Sequence, residues 1–412
     1  MAAPLTPATD RIESIDVVRG VAVLGILVMN IPSFALSASA FFNPTLDGGY
    51  SGVDRLAWIV SHLLFDMKMM AIFSMLFGAG VVIYGERKGS SALSLHARRM
   101  AWLLVIGLLH AFVIWEGDIL VMYAICGMLV YPLRKARIPL VVGLAIPILV
   151  VPILIYSGFG ALFEAMRADA IANPEHGASW NSIASEFTPG PEARALERDA
   201  FLGTYHDTFE RRFDQVVKML GFMFPTWGLW RIGGLMMLGI ALVRGGFLDG
   251  SRPRRSALLC LGYPIGFWLV VVGFRRMEAS AFDIVSFFML DWHFNYVGSI
   301  FVALGHIGLL VTLSRSARWM TTVLAPVGRL ALTNYLTQSL ICATIFSGWG
   351  FGWWGRLSRS DLLLVVVAIW VVQICFSILW TRRFRFGPME WVWRSLTTWS
   401  IQPMTSGRAG ST

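Results

Sequence analysis

Apolar runs long enough to cross a lipid bilayer recur along nearly the whole chain, and this pattern constrains the fold more than any other feature. A spanning helix needs about 20 apolar residues. Ten candidate runs fall at roughly 18–40, 56–84, 99–116, 118–134, 138–163, 216–243, 256–277, 293–313, 325–347 and 361–381. Charged residues make up 14% of the 412-residue chain, against about 25% in soluble domains. The expected fold class is therefore all-α: a polytopic membrane protein of about ten transmembrane helices, forming a single membrane domain over 1–412. The third and fourth runs are short and separated only by Glu116-Gly117-Asp118, so they form either a tight spanning pair or a re-entrant hairpin.

Charge placement orients the chain. With the N-terminus in the cytoplasm, 21 Arg and Lys residues fall in cytoplasmic segments and ten in outer ones. Cytoplasmic loops carry the Lys/Arg excess, so both ends are expected inside, with residues 382–412 as a cytoplasmic tail. The net charge of +9 follows the loops and not a basic face, which argues against nucleic acid. Residues 164–215 carry ten acidic side chains and five arginines, with Pro189-Gly-Pro191 as punctuation. They are expected to form an extracytoplasmic loop with short surface helices, too short for a separate enzyme domain. The stretch Ala35–Ala40 resembles a cleavage site, but Glu13 and Asp16 precede it where a signal peptide is basic, so the first helix is expected to be retained. The four cysteines lie singly in apolar runs with no CxxC pair, so neither a disulfide framework nor a zinc site is expected, and no metal is assigned.

Ionisable groups inside a membrane are costly and need partners or a wet cavity. Asp16 and Arg19, three apart at the start of the first helix, share a face and can pair; they form either a helix-start ion pair or one wall of a phosphate site. Asn30 lies ten residues beyond Gly20, about 15 Å along a helix. It is either interhelical glue or an oxyanion donor. His62 and Asp66 are four apart, a spacing that lets the carboxylate orient the imidazole as a base, or simply makes a solvated pair. Lys68 lies deeper and needs a partner from another helix. His110 sits beneath Glu116 and Asp118, and Asp291, His293 and Arg231 add polar groups to the same half. Trp391, Trp393 and Trp399 read as an interfacial belt. No Walker A, GxGxxG or GxSxG element occurs, which disfavours ATP drive, dinucleotide binding and an elbow-type serine hydrolase.

Several motifs together carry a resemblance. Ser14-Ile-Asp16-Val-Val-Arg19-Gly20 is followed by Asn30, and Lys68 by Phe73-Ser-Met-Leu-Phe-Gly78. Next come His110 with Gly117-Asp118-Ile-Leu-Val-Met-Tyr123, then Gly328-Arg-Leu-Ala-Leu-Thr-Asn334-Tyr335-Leu-Thr-Gln338, and Gly387-Pro-Met-Glu390-Trp-Val-Trp-Arg394. From about residue 11 to 403 the chain resembles the YeiB-like bacterial membrane proteins (domain-of-unknown-function family 418). Through the Asp-x-x-Arg-Gly opening it distantly resembles transmembrane acyltransferases of the heparan glucosaminide acetyltransferase type. That resemblance implies transfer of an acyl group from cytoplasmic acyl-CoA to a small-molecule, glycan or lipid acceptor across a bacterial inner membrane. Asn30 matches the position of their asparagine; on the acyltransferase reading it would position the acyl carbonyl, His110 would serve as base or relay, and Asp118 and Lys68 would tune the site. Asp16, Arg19, Arg329, Asn334 and Gln338 would face the donor. The departure concerns the histidine: in the acetyltransferases it follows the asparagine closely, whereas here the first one after Asn30 is His62. A transporter of a small anionic metabolite is the alternative from another class, and a non-enzymatic scaffold the third; homo-oligomerisation is compatible with each.

The charge pattern makes one direct prediction. Reporter fusions near Ser185 should read outside, and fusions after Arg408 inside; opposite readings at either place overturn the orientation.

Overall fold

The computed structural model describes residues 12–88, 91–249 and 252–405. Arg11, Arg408 and the side chains of Arg87 and Lys88, which enter the charge count, lie outside what is described. Among the described residues the protein is all-α, with an isolated antiparallel bridge between Phe384 and Thr405.

α1 (Glu13–Ala35) opens the chain, and α2 (Gly52–Leu64) and α3 (Lys68–Lys88) follow. α4 (Ala92–Leu109) runs into a π-helical turn, His110–Ile114, and faces α5 (Leu120–Val130). α6 (Ile138–Ala172) leads to α7 (Gly177–Phe187), α8 (Pro191–Leu202) and α9 (Tyr205–Lys218). A π segment, Met219–Gly228, joins α9 to α10 (Leu229–Arg244). α11 (Pro253–Leu258), α12 (Gly262–Ala279), α13 (Ile284–Ser286) and α14 (Trp292–Leu313) come next. α15 (Arg318–Arg329), α16 (Ala331–Phe346), α17 (Arg359–Arg383) and α18 (Pro388–Thr398) complete the order.

Eight helical stretches among the described residues are long and apolar enough to cross a membrane. The chain is thus an all-α polytopic membrane protein, and the remaining two expected runs fold differently from a plain span. In 118–134 the α-helix stops at Val130 and tightens into a 3₁₀ turn, Tyr131–Lys135, because Pro132 cannot supply the next N–H. In 325–347 the helix breaks at Leu330. The fresh N-terminus of α16 is held by Glu390 of α18, which accepts the Leu332 and Thr333 N–H groups at 2.7 and 3.1 Å and the Thr333 hydroxyl at 2.6 Å. A carboxylate at a helix N-terminus satisfies orphan donors and complements the dipole. The 56–84 run is also interrupted, at Phe65–Met67. Within 164–215 the spanning helix continues to Ala172 and three amphipathic helices follow, so the segment is helical almost throughout.

Lipid chains are as apolar as leucine, so apolar contact alone does not bring helices together in a bilayer. Small residues and polar links do. α1 and α15 cross where a Cβ on Gly328 would stand 1.9 Å from the Asp16 carbonyl oxygen, and one on Gly20 2.2 Å from that of Leu324. α3 and α10 cross through Gly78 and Gly239, whose Cβ atoms would meet the Met236 and Met75 carbonyl oxygens at 2.0 and 1.8 Å. These crossings make α1, α3 and α10 an inner set, while α6, α12 and α17 keep most of their side chains toward lipid.

Gly239→Leu should therefore force α3 and α10 apart. Overpacking typically costs about 1–3 kcal/mol, so a lowered unfolding midpoint in detergent is expected; an unchanged midpoint would show that this crossing is slack.

Candidate functional site

The interruption between α2 and α3 builds the site. Met67 holds a left-handed φ of +60°, which a non-glycine residue adopts at a cost of roughly 1–3 kcal/mol and only where its surroundings hold it. The turn leaves the last carbonyls of α2 without intrahelical partners. Two of them are answered by side chains of the bundle: Lys68 Nζ donates to the His62 carbonyl at 2.5 Å, and His306 Nε2 contacts that of Leu64 at 3.1 Å. A cation at a helix C-terminus is also favoured by the dipole.

Lys68 is fully buried, and its ammonium donates again to Asn295 Oδ1 on α14 at 2.6 Å. This fixes the Asn295 amide, whose Nδ2 then donates to Asp66 Oδ2 at 2.9 Å. The same oxygen lies 3.1 Å from His62 Nδ1. The chain Lys68–Asn295–Asp66–His62 thus runs from the closed interior outward. Arg231 of α10, also fully buried, donates to the Tyr296 carbonyl and the Ser299 hydroxyl and stacks over the Tyr296 ring.

His62 ends this chain at a cavity of about 150 Å³. Its ring stacks face to face on Trp58, centroids 4.9 Å apart. With Nδ1–H donated to Asp66, the Nε2 lone pair is buried and has no protein partner. The walls include Met29, Pro32 and Ser33 of α1, Ser61 and Asp66, Asn295 and Trp292 of α14, and Arg359 and Leu362 of α17. Arg359 at the start of α17 binds the loop carbonyls of Ala40, Pro44 and Asp47 at 3.4, 3.4 and 3.1 Å. Beside it, Tyr50 and Arg55 share Glu278, and burial against that carboxylate pushes the Tyr50 phenol up.

The other expected site residues occupy different surroundings. His110 and Asp118 form a second dyad at 2.7 Å, both almost wholly buried, and His110 Nε2 also lacks a partner. Neither residue lines the cavity. Asp118 Oδ1 accepts the Val121 N–H at 2.9 Å, so the dyad ties the end of α4 to the start of α5. Above it, α9 docks on the hairpin tip: Arg212 and the Tyr205 hydroxyl both donate to the Val113 carbonyl at 2.8 Å. Burial raises the nearby Glu116 carboxyl, and Arg212 opposes the shift. Asn30 is half-buried and also outside the lining, although Met29 and Pro32 beside it belong to the wall. Asp16 pairs with Arg19 at 2.9 Å at the opposite end of α1, with Arg329 on the adjoining end of α15. Asn334 and Gln338 enter an interhelical network: Asn334 Nδ2 donates to Ser377 at 3.1 Å, and Gln338 Nε2 donates to Gln373 at 2.8 Å and to the Val23 carbonyl at 3.1 Å.

Asn295, Trp58 and Arg359 escaped sequence reasoning. Asn295 had a signal, an amide two residues into an apolar run after His293. Nothing local marked the other two, because a tryptophan near an interface and an arginine at a helix start have ordinary explanations.

The fold and the buried polar chain define a polytopic membrane protein with a partly enclosed cavity that the chain reaches through His62 and Asp66. The chain belongs to the YeiB family. It is 32% identical to the Escherichia coli (strain K12) protein YeiB over 416 residues, covering 96% of this chain and 99% of that one. It is 30% identical to YxaH of Bacillus subtilis (strain 168), covering 97% of each. The family model "Protein of unknown function (DUF418)" matches residues 242–400. No solved structure matches the chain.

Asn295→Leu should strip Lys68 of its side-chain partner, and an uncompensated buried charge costs about 3–5 kcal/mol. Combining it with Lys68→Met removes that charge and should recover much of the loss. Additive effects of the two substitutions on thermal unfolding would show that they do not interact.

Proposed function

We propose that this cavity is the reaction chamber of a membrane acyltransferase of a bacterial inner membrane, with His62 as general base. The observation that carries the reading is His62 itself. Its Nδ1 is held by Asp66, its Nε2 is bare and buried, and the residue belongs to the cavity wall. Geometry of this kind lets an imidazole remove a proton from a hydroxyl or amine while the carboxylate stabilises the imidazolium that forms. The acceptor oxygen or nitrogen would bond to the acyl carbon as the C–S bond to CoA breaks. The proton carried by His62 would then pass to the leaving thiolate. Asn295, held by Lys68, would position Asp66.

The acyl-CoA donor comes from the resemblance of the Asp16-to-Gly20 opening to the transmembrane acyltransferases. With both termini in the cytoplasm, the Asp16–Arg19 pair and Arg329 lie on the side from which acyl-CoA would arrive, and the cavity lies in the outer half. His110 and Asp118 are then a fastening for the α4–α5 hairpin.

A second reading has its own support. Two helical runs are broken inside the bundle, at Phe65–Met67 and at Leu330, and two fully buried cations, Lys68 and Arg231, stand near the single carboxylate Asp66. Discontinuous helices and unbalanced positive charge suit a transporter of a small anion.

The test is transfer from labelled acetyl-CoA in reconstituted vesicles. His62→Ala should lower turnover by about 10²–10⁴, whereas His110→Ala should lower the unfolding midpoint and leave a measurable rate in the folded fraction. Full activity of the His62 variant removes it from the mechanism. Saturable uptake of an organic anion without acyl transfer would favour the transporter.

A further inference from the structure

Resting on the acyltransferase reading, we infer that the acceptor is a membrane lipid that enters sideways between α2 and α17, its chain in a groove open to the bilayer and its reacting end in the cavity. Three observations carry this. First, a groove of about 490 Å³ runs between these helices, walled by Val53, Leu56 and Val60 of α2 and Leu364 of α17. All four side chains are exposed, which in a spanning helix means exposed to hydrocarbon. Second, Ala57 and Leu363 line both the groove and the cavity. A partition this thin, with a single methyl on the α2 side, is all that these shared residues place between the groove and the cavity that His62 lines.

Third, the two compartments differ in chemistry. The cavity carries the polar side chains of Ser61, His62, Asp66 and Asn295, where a hydroxyl or amine can be received. The groove offers an apolar wall about 10 Å long from Val53 to Val60. Polar groups close its end nearer the membrane surface, where the Ser360 N–H donates to Asp54 Oδ1 at 2.9 Å. A lipid of the leaflet on that side, the outer one in the charge-derived orientation, would lay its chain along the groove and pass its polar end across Ala57.

Photolabelling tests this without requiring acyl transfer. The full chain is placed in phosphatidylethanolamine–phosphatidylglycerol vesicles doped with a phosphatidylethanolamine carrying a diazirine on one acyl chain. Adducts should concentrate on 53–60 and 360–364 over the lipid-facing positions of α6 and α12, such as Leu154 and Trp268. Ala57→Phe should cut groove labelling roughly tenfold, the equivalent of about 1.4 kcal/mol of lost contact. If Ala57→Phe fails to elute as a folded species, Leu363→Trp fills the same partition from α17. Adducts spread evenly over all four helices, unmoved by either variant, overturn the inference even where acetyl transfer to a water-soluble acceptor proceeds. Concentrated labelling with no transfer to any acceptor would instead sustain the lipid groove and remove the enzymatic reading.

Discussion

A lysine ammonium sealed inside a membrane bundle sets terms for everything around it. Such a charge is tolerated only with partners, and a regular helix has none to offer, because its carbonyls are consumed by its own N–H groups. The break at Phe65–Met67 removes that restriction. By ending α2 early it frees the His62 carbonyl, and by turning through a left-handed Met67 it brings Lys68 back beneath it. The second partner, Asn295, has to come from α14, so the position of that helix is tied to the position of this charge. The strained residue, the early helix end and the buried amide form one arrangement around one cation.

The same arrangement explains why His62 and Asp66 differ in surroundings from His110 and Asp118. Both are imidazole–carboxylate pairs with a bare Nε2. The His110–Asp118 pair spends its second carboxylate oxygen on the Val121 N–H and closes a hairpin. The His62–Asp66 pair lies at the end of a hydrogen-bonded chain whose far end is the fixed ammonium, with an aromatic face on the imidazole and a cavity beside it. Surroundings, and not residue type, separate a pair enclosed by the bundle from one that meets open space.

Glycine contacts supply the rigidity that the broken span needs. Gly78 and Gly239 let α3 and α10 approach to backbone contact, and Gly20 and Gly328 do the same for α1 and α15. With α3 clamped on one side and α14 linked through Asn295 on the other, the broken span can carry a strained turn without unravelling. Glu390 does the equivalent work at the second break, capping α16 from a tail helix far along the chain.

Membrane residence and helical class were legible from sequence because the hydrocarbon thickness imposes a length and a composition that nothing else imitates. Lys68 was legible as a residue in need of a partner for a similar reason: the cost of an isolated charge in lipid does not depend on the details of the fold. The pairing of His62 with Asp66 could be read from its i, i+4 spacing, which is local geometry. What local pattern could not supply was which dyad meets open space, which amide answers Lys68, and where a span is interrupted. Pro132 explains one shortened helix from within its own segment. The breaks at Met67 and Leu330, however, are stabilised by Asn295 and Glu390, more than 50 residues away in the chain. Contacts of that range arise only when the bundle closes, so the tertiary structure decided them.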